Sequence, residues 1–384
     1  MKPKVYFLHN VLKDYRIPWF NEMDKEIDLT LIFFRDSKDK INNMNIKYLK
    51  CEALPHFKLF SKYGLSISLI PRLLFGKYDV VISDDLYFFE TYFAFFISKL
   101  RRKKHIVWVE TFEWPRAPRS KIIQPFVKLV ARHSNAVIAV GKKSKEYLLK
   151  LGAQEKNIFI SPDTSICEVY DLEKYKKEFY KKYPKIKNKQ IVLYLSRIVR
   201  YKGLDILIKS FLKLEEEIEN IVLVIATSNL EMNNFTKDIL EFITKSKNIY
   251  LITDVNPQNK GFYYSIADIF VLPSTFRDYD ADCWGVVLNE AMSLGKPVIS
   301  TDATGGAHDL IIQGKNGYMI KQKDIDELSS ALKKILSNKR FKESMGKESK
   351  EIIEKNFTYE KMAQGCVDAI IYSLYHKNLK GFKS

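Results

Sequence analysis

Short apolar runs rich in β-branched residues recur along the chain, separated by stretches of helical length and mixed polarity. In the first half they are Val5–Leu8, Leu29–Phe34, Val80–Ser83, Ile106–Val109 and Ala136–Val140. A second series starts at Ile191–Leu195 and continues through Ile221–Ile225, Ile249–Ile252, Ile269–Leu272, Pro297–Ser300 and Gly317–Ile320. Apolar strands alternating with helices predict parallel sheets covered on both faces, an α/β architecture. Two such series predict two Rossmann-like halves facing a cleft. The charged stretch Leu172–Lys189, broken by Pro184, marks the expected boundary. It gives a first domain over residues 1–170 and a second over 171–358. Leu86–Leu100 is strongly apolar but too short to span a bilayer, and it carries Glu90 and Lys99; a core helix of the first domain is expected there. Met362, Val367, Ile370, Ile371 and Leu374 recur at helical spacing and predict a last helix over Tyr359–Tyr375.

Candidate chemistry concentrates between Pro273 and Ile320. The strand Ile269–Leu272 breaks at Pro273, and a loop holding Asp278, Asp280 and Asp282 follows. Trp284-Gly285 then opens a helix over Val286–Leu294, stopped by Gly295. A strand feeding a glycine-started helix presents free backbone N–H groups and the positive end of a helix dipole, which suits an anion at the carboxyl ends of the strands. Glu290 lies inside that helix, where a ligand beyond the phosphates would reach it. Upstream, Arg197 and Lys202 flank another strand-to-helix junction. Two cations there suit a diphosphate and charge developing on a leaving nucleotide; read alone, they are surface cations.

Asp282-x7-Glu290, followed by Ala291-Met292 and Gly295-Lys296-Pro297-Val298-Ile299, resembles the Glu-x7-Glu signature of retaining GT-B glycosyltransferases of the family 4 type. Leu195-Ser196-Arg197 and Lys202-Gly203-Leu204-Asp205 resemble that family's Arg…Lys-Gly diphosphate clamp, and Gly305-Gly306 and Gly314-x-x-Gly317 resemble its closing loops. The likeness covers roughly residues 135–360 and weakens before them. It implies a GT-B fold of two Rossmann-like domains, with a C-terminal helix (359–384) crossing back to the first. It implies a retaining, metal-independent hexosyltransferase. Such an enzyme moves a sugar from a UDP- or GDP-linked donor to a hydroxyl of a glycan or lipid-linked acceptor, in polysaccharide, glycolipid or glycoprotein glycan synthesis.

The same resemblance implies the roles of single residues. Arg197, Lys202 and the N–H groups of Gly285, Val286 and Val287 would hold the donor phosphates. Glu290 would take the ribose diol, and Asp254 and Val255 would lie near the base. Asp282, Cys283 and Trp284 would face the donor sugar, with Asp282 one methylene shorter than the family's usual Glu; Cys283 also reads as a small packing residue. Gly305 and Gly306 line the sugar-phosphate side or make a turn. In the acceptor-binding first domain, Tyr15, Arg16 and Glu113 are the candidates. Arg16 touches an acceptor phosphate or is a surface cation. The family often places a His after the strand that ends near Val109. Here His105 precedes that strand and points elsewhere, so Glu110 or Glu113 would act as general base, or is an ion-paired glutamate.

Composition narrows the partners. The chain has 384 residues, enough for two cores, and a formal net charge of +17. That charge favours anionic partners, and no nucleic-acid reader motif accompanies it. Phe57–Leu65 and Ile67–Phe75 interleave apolar residues with Lys58, Lys62 and Arg72, while Arg101–Lys104 and the Pro115–Lys121 loop add cations. An aromatic and basic surface of this kind predicts a cytoplasmic protein, peripheral at the inner face of the cell membrane. The four cysteines are scattered, which fits a reduced compartment. No cofactor or metal is expected; the Asp278-Tyr279-Asp280 spacing reads as a chance match. The competing reading is a catalytically degenerate GT-B protein that serves as a partner subunit or as a scaffold binding polyanions or membranes.

Overall fold

The computed structural model describes residues 2–35, 49–55, 57–60, 63–113, 120–277 and 281–376, with the backbone alone at 57–60, 63–65, 120 and 121. Asp278, Asp280, Trp114, Arg116 and Arg119 lie outside the described residues, as do the side chains of Phe57–Phe60, Tyr63–Leu65 and Lys121. The chain forms two compact units. One comprises residues 1–164 and Thr358 onward, the other Ser165–Phe357. The division thus falls ahead of the charged stretch expected to mark it. That stretch forms a helix of the second unit, Leu172–Lys182, whose buried Phe179 meets Phe262 at 5.4 Å between ring centroids.

The first unit is built on seven parallel strands: β1 (Lys4–His9), β2 (Asp28–Phe33), β3 (Lys50–Ala53), β6 (Val80–Asp84), β7 (Lys104–Val109), β8 (Ala136–Ala139) and β9 (Ile158–Ile160), in the order β3-β2-β1-β6-β7-β8-β9. β4 (Phe57–Phe60) and β5 (Tyr63–Leu65) form a separate antiparallel pair. The helices of this unit are α1 (Ile17–Glu26), α2 (Leu69–Phe75), α3 (Phe89–Leu100), α4 (Ser120–His133) and α5 (Lys142–Leu151). Five of its strands follow the predicted runs; β3 and β9, short and only half-buried, carry too few apolar residues to announce themselves. α3 corrects the expectation of a core helix. One face packs inward through Ala94 and Phe95, while Phe89, Phe96 and Leu100 are exposed. No described helix is long and apolar enough to cross a membrane.

The second unit holds six parallel strands: β10 (Gln190–Leu195), β11 (Ile221–Ala226), β12 (Ile249–Ile252), β13 (Ile269–Leu272), β14 (Val298–Thr301) and β15 (Gly317–Ile320), in the order β12-β11-β10-β13-β14-β15. All six predicted runs are strands. Its helices are α6 (Leu172–Lys182), α7 (Leu204–Leu214), α8 (Asn234–Ile243), α9 (Lys260–Ile266), α10 (Val286–Ser293), α11 (Ala307–Leu310), α12 (Ile325–Leu336) and α13 (Lys339–Asn356). α7 and α12 bury Leu207, Phe211, Leu328 and Leu332 against β10, β11 and β14. Both sheets reverse strand order once, between β1 and β6 and between β10 and β13. Crossovers leave such a point in opposite directions, so a crevice opens at the carboxyl ends of the two central strands.

The last helix, α14 (Tyr359–Tyr375), belongs to the first unit and packs on α1, β7, β8 and β9. Ser161 donates to the Met362 carbonyl at 2.7 Å, and Tyr372 to Asn157 at 2.8 Å. Gly365 permits this approach, because a Cβ there would lie 2.1 Å from the Ile160 carbonyl oxygen. Gly365→Ala should therefore overpack the seam and lower stability by about 1–3 kcal/mol in urea unfolding. An unchanged midpoint would mean that the helix is not held this close to β9.

Candidate functional site

In the second unit, the reversal between β10 and β13 gathers the residues picked out by the sequence. β10 ends at Leu195. Arg197 follows, exposed, its guanidinium donating to the Tyr201 hydroxyl at 2.6 Å. A single 3-10 turn, Arg200–Lys202, then delivers Lys202 inward, where it is 8% exposed. Gly203 makes that turn possible: its φ is +67°, and a Cβ would meet the Pro273 carbonyl oxygen at 1.9 Å. From the β13 side, Asp282 meets Lys202 at 2.5 Å and accepts from Ser274 at 2.8 Å. Asp282 is buried, and its carbonyl accepts from Gly305 at 2.9 Å. It is thus an ion-paired group fixed by two neighbouring loops. Gly285 follows at φ +81° and starts α10, so the N–H groups of Val286 and Val287 have no acceptor within the helix.

Glu290 lies within α10 and is 2% exposed. One carboxylate oxygen accepts from Ser165 at 2.7 Å and from Lys260; the other accepts from the Tyr264 hydroxyl at 2.8 Å. A carboxylate offers about four acceptor sites, so three protein donors leave little capacity for a diol unless one of them gives way. Lys260, half-buried at the start of α9, is the donor most able to move. Nothing in the sequence pattern pointed to Lys260, Ser165 or Tyr264. Asp254 is exposed just past β12, and Val255 beside it is buried, its N–H bonded to the Thr227 carbonyl at 3.2 Å. Cys283 is half-buried. Trp284 departs from the expected sugar contact. Its indole is 4% exposed, donates to Asn289 at 2.9 Å and packs over Gly306, which leaves its side chain to the core. Gly306 donates to the Trp284 carbonyl at 3.0 Å, so the Gly305-Gly306 pair closes a turn against the Asp282–Trp284 loop.

In the first unit, a second polar cluster occupies the reversal between β1 and β6. His9 ends β1 and Asp84 ends β6; His9 Nδ1 and Asp84 Oδ2 lie 2.6 Å apart. Arg16 donates to His9 Nε2, so Nε2 accepts and the Nδ1 hydrogen points to Asp84. The same guanidinium pairs with Glu110 and lies 3.4 Å from Asp163. Arg16 is 5% exposed and stacks 4.7 Å from the Trp108 ring, which excludes the surface-cation reading. Burial opposes its charge, yet Glu110, Tyr15, Asp163 and Asp84 together hold its pKa above the ordinary value. Burial also raises the Tyr15 phenol. Glu110 is the more accessible partner, its side chain 29% exposed. Glu113 is exposed, its carbonyl accepting from Tyr87 at 3.1 Å. His105 lies within β7 rather than ahead of it. It is bonded to Ser83 and Ser134, and burial pushes its pKa down to about 3. His9, Asp84 and Asp163 were missed; the available signal was their position at or just past the ends of parallel strands. Among the described residues, no group of three or more His, Cys, Asp or Glu is placed to hold a metal ion.

Two buried carboxyls of this unit carry a pH signature. Asp85 is pushed up to about 7, chiefly by burial and by Asp84, against the bonds it accepts from Thr111 and Leu86. Asp163 is likewise raised to about 7 by burial, against the opposing pull of Arg16. A carboxyl that holds its proton more tightly folded than unfolded contributes most below its unfolded pKa, and that contribution fades as pH rises through its folded value. Asp85→Asn should therefore gain on the wild type between about pH 4 and about pH 7, by roughly 2–4 kcal/mol in denaturant unfolding. A difference flat with pH would show that Asp85 ionises normally.

Comparison with known proteins bears on the family and the fold. Residues 176–352 match the family model of glycosyl transferases, group 1. An uncharacterised glycosyltransferase of Methanocaldococcus jannaschii is 23% identical over 345 residues, covering 85% of this chain and 84% of that protein. The capsular polysaccharide biosynthesis glycosyltransferase of Staphylococcus aureus is 27% identical over 228 residues, 58% of this chain and 57% of its own. Among solved structures, Anabaena HepE in complex with UDP and glucose superimposes with a TM-score of 0.75 at 16% identity, over 96% of this chain and 99% of that one. A Rickettsia africae glycosyltransferase gives 0.77 at 17% identity, over 98% and 100%. The two parallel-sheet units have the GT-B fold. The family match over residues 176–352, the relatives and the fold together support a place among the group 1 glycosyltransferases.

Proposed function

We propose that the protein transfers a hexose from a UDP- or GDP-linked donor to a hydroxyl of a glycan or lipid-linked acceptor, with retention at the anomeric carbon and without a metal. The observation that carries this reading is the buried Lys202–Asp282 pair at the β10/β13 reversal, beside the glycine-started helix α10. A cation, free N–H groups and a carboxylate side by side match a sugar diphosphate, which presents anion and hydroxyls in sequence. HepE is known in complex with UDP and glucose. Relatives in Mycolicibacterium smegmatis and Mycobacterium tuberculosis are GDP-mannose-dependent phosphatidylinositol monomannoside mannosyltransferases. Both support a nucleotide-sugar donor and leave the base open.

In this reading Arg197, Lys202 and the N–H groups of Val286 and Val287 take the charge that grows on the departing diphosphate. Lys202 turns part of its interaction from Asp282 to the phosphate, and Asp282, still anchored by Ser274, accepts from sugar hydroxyls. Glu290 binds the ribose as Lys260 gives way. The anomeric carbon–oxygen bond to phosphate breaks, and a bond to the acceptor oxygen forms on the same face. The acceptor proton passes to the leaving phosphate oxygen. In the first unit Arg16 holds Glu110 in place, and Glu110 accepts a hydrogen bond from the acceptor hydroxyl. Arg16 itself is already compensated by carboxylates, so the cluster suits a hydroxyl-bearing group better than a phosphate.

Thermal unfolding against UDP, GDP, ADP, CMP and their common sugar conjugates tests the donor. A ligand at 100 times its Kd stabilises by about 2.7 kcal/mol, so UDP or GDP should raise the midpoint and CMP should not. No shift with any nucleotide would favour a degenerate scaffold. Arg197 is exposed, so Arg197→Ala should keep the wild-type midpoint while lowering turnover about 10²–10³-fold. Lys202→Ala should lower both, because it strands a buried carboxylate at a cost of about 3–5 kcal/mol. Normal turnover in Arg197→Ala would remove the clamp assignment.

A further inference from the structure

We propose that the outer face of α2, α3 and α4 in the first unit is a docking surface for an anionic lipid bilayer. Phe75 at the end of α2 is 82% exposed, Leu100 at the end of α3 76%, and Ile122 in α4 75%. Phe89, Phe96 and Phe126 are each about half exposed. Phe89, Phe96 and Leu100 stand seven and four residues apart, so they share one stripe of α3. The stripe is continuous with its neighbours: α3 packs on both α2 and α4, and the Tyr92 ring of α3 meets the Phe126 ring of α4 edge-on at 6.3 Å. Isolated exposed apolar side chains are ordinary, whereas several on three adjoining helices mark an interaction surface.

The charges around this face identify the occupant. α2 and α4 contain no Asp or Glu. The one acid of α3, Glu90, is 1% exposed and turned inward to the Ser66 N–H at 3.0 Å. Lys77, Lys99 and Arg102, by contrast, are exposed at the helix ends. Asp79 and Glu52 already face cations, Lys103 and Arg72 respectively. A surface of aromatics edged with cations, whose neighbouring described carboxylates Asp79 and Glu52 are paired with cations, fits anionic headgroups above acyl chains. A protein partner would have to be uniformly acidic around an apolar centre. With no described helix able to span the bilayer, the attachment is along its surface.

Sedimentation of the full chain with vesicles tests this directly, using phosphatidylcholine alone or mixed with phosphatidylglycerol. The chain should pellet with the mixed vesicles and at least tenfold less with phosphatidylcholine, and added salt should weaken the binding. Phe96→Ser with Leu100→Ser should reduce the bound fraction about tenfold with at most a small drop in the thermal midpoint and an unchanged nucleotide response, since Leu100 is exposed and Phe96 about half exposed. Lys99→Gln with Arg102→Gln should reduce binding and its salt dependence together. Equal binding to both vesicle types, or wild-type binding by the Phe96/Leu100 variant, would overturn the proposal. So would a concentration-dependent dimer in light scattering that the same variant abolishes, because the face would then belong to a second copy.

Discussion

A parallel sheet whose strand order reverses cannot cover its own carboxyl edge. The two crossovers diverge there, and whatever residues end the central strands face an opening rather than a helix. Both units obey this constraint, and both candidate clusters follow from it. His9 and Asp84 end β1 and β6; Lys202 and Asp282 sit just past β10 and β13. The apolar strands behind them are almost wholly buried and fix the edge in space. Polar side chains can be held at short range without the surrounding loops having to be rigid on their own.

Each cluster then has to solve the same electrostatic problem, that of carrying charge where water is scarce. The second unit does so with a one-to-one pair, Lys202 and Asp282, and with Glu290 surrounded by three donors. The first unit spreads one guanidinium over His9, Glu110 and Asp163 and leaves acid in excess. Burial first, with neighbouring carboxylates adding to it, is why Asp163 and Asp85 hold their protons up to about 7. A balanced site can accept an anion by trading partners. An acid-rich site has no cation to spare and offers acceptors instead.

The fold was largely legible because buried parallel strands are written as continuous apolar runs, and Ile221–Ala226 or Ile269–Leu272 are short, rich in β-branched residues and bounded by polar residues. β3 and β9 escaped because edge strands are only half-covered. The residues proposed for the donor stood out because they sit at two strand-to-helix junctions, each marked by a glycine at positive φ, Gly203 and Gly285. The burial of Arg16 was not legible, since burial of a cation depends on partners far apart in sequence, at Glu110 and Asp163. Lys260 and Tyr264 were invisible for the same reason: their meeting with Glu290 comes from helix packing, which leaves no local pattern. Trp284 stands between Asp282 and Gly285, yet its indole turns inward, toward Asn289.

The helix α14 has a consequence for how the protein is made. The first unit is interrupted, and all of Ser165–Phe357 is synthesised between its two parts. Until α14 emerges, the groove along α1, β7, β8 and β9 that receives Met362 and Cys366 stays open on the nascent chain. The second unit is continuous and can complete its core first. The second unit can therefore fold from one continuous segment, whereas the first is closed only when α14 joins its earlier part.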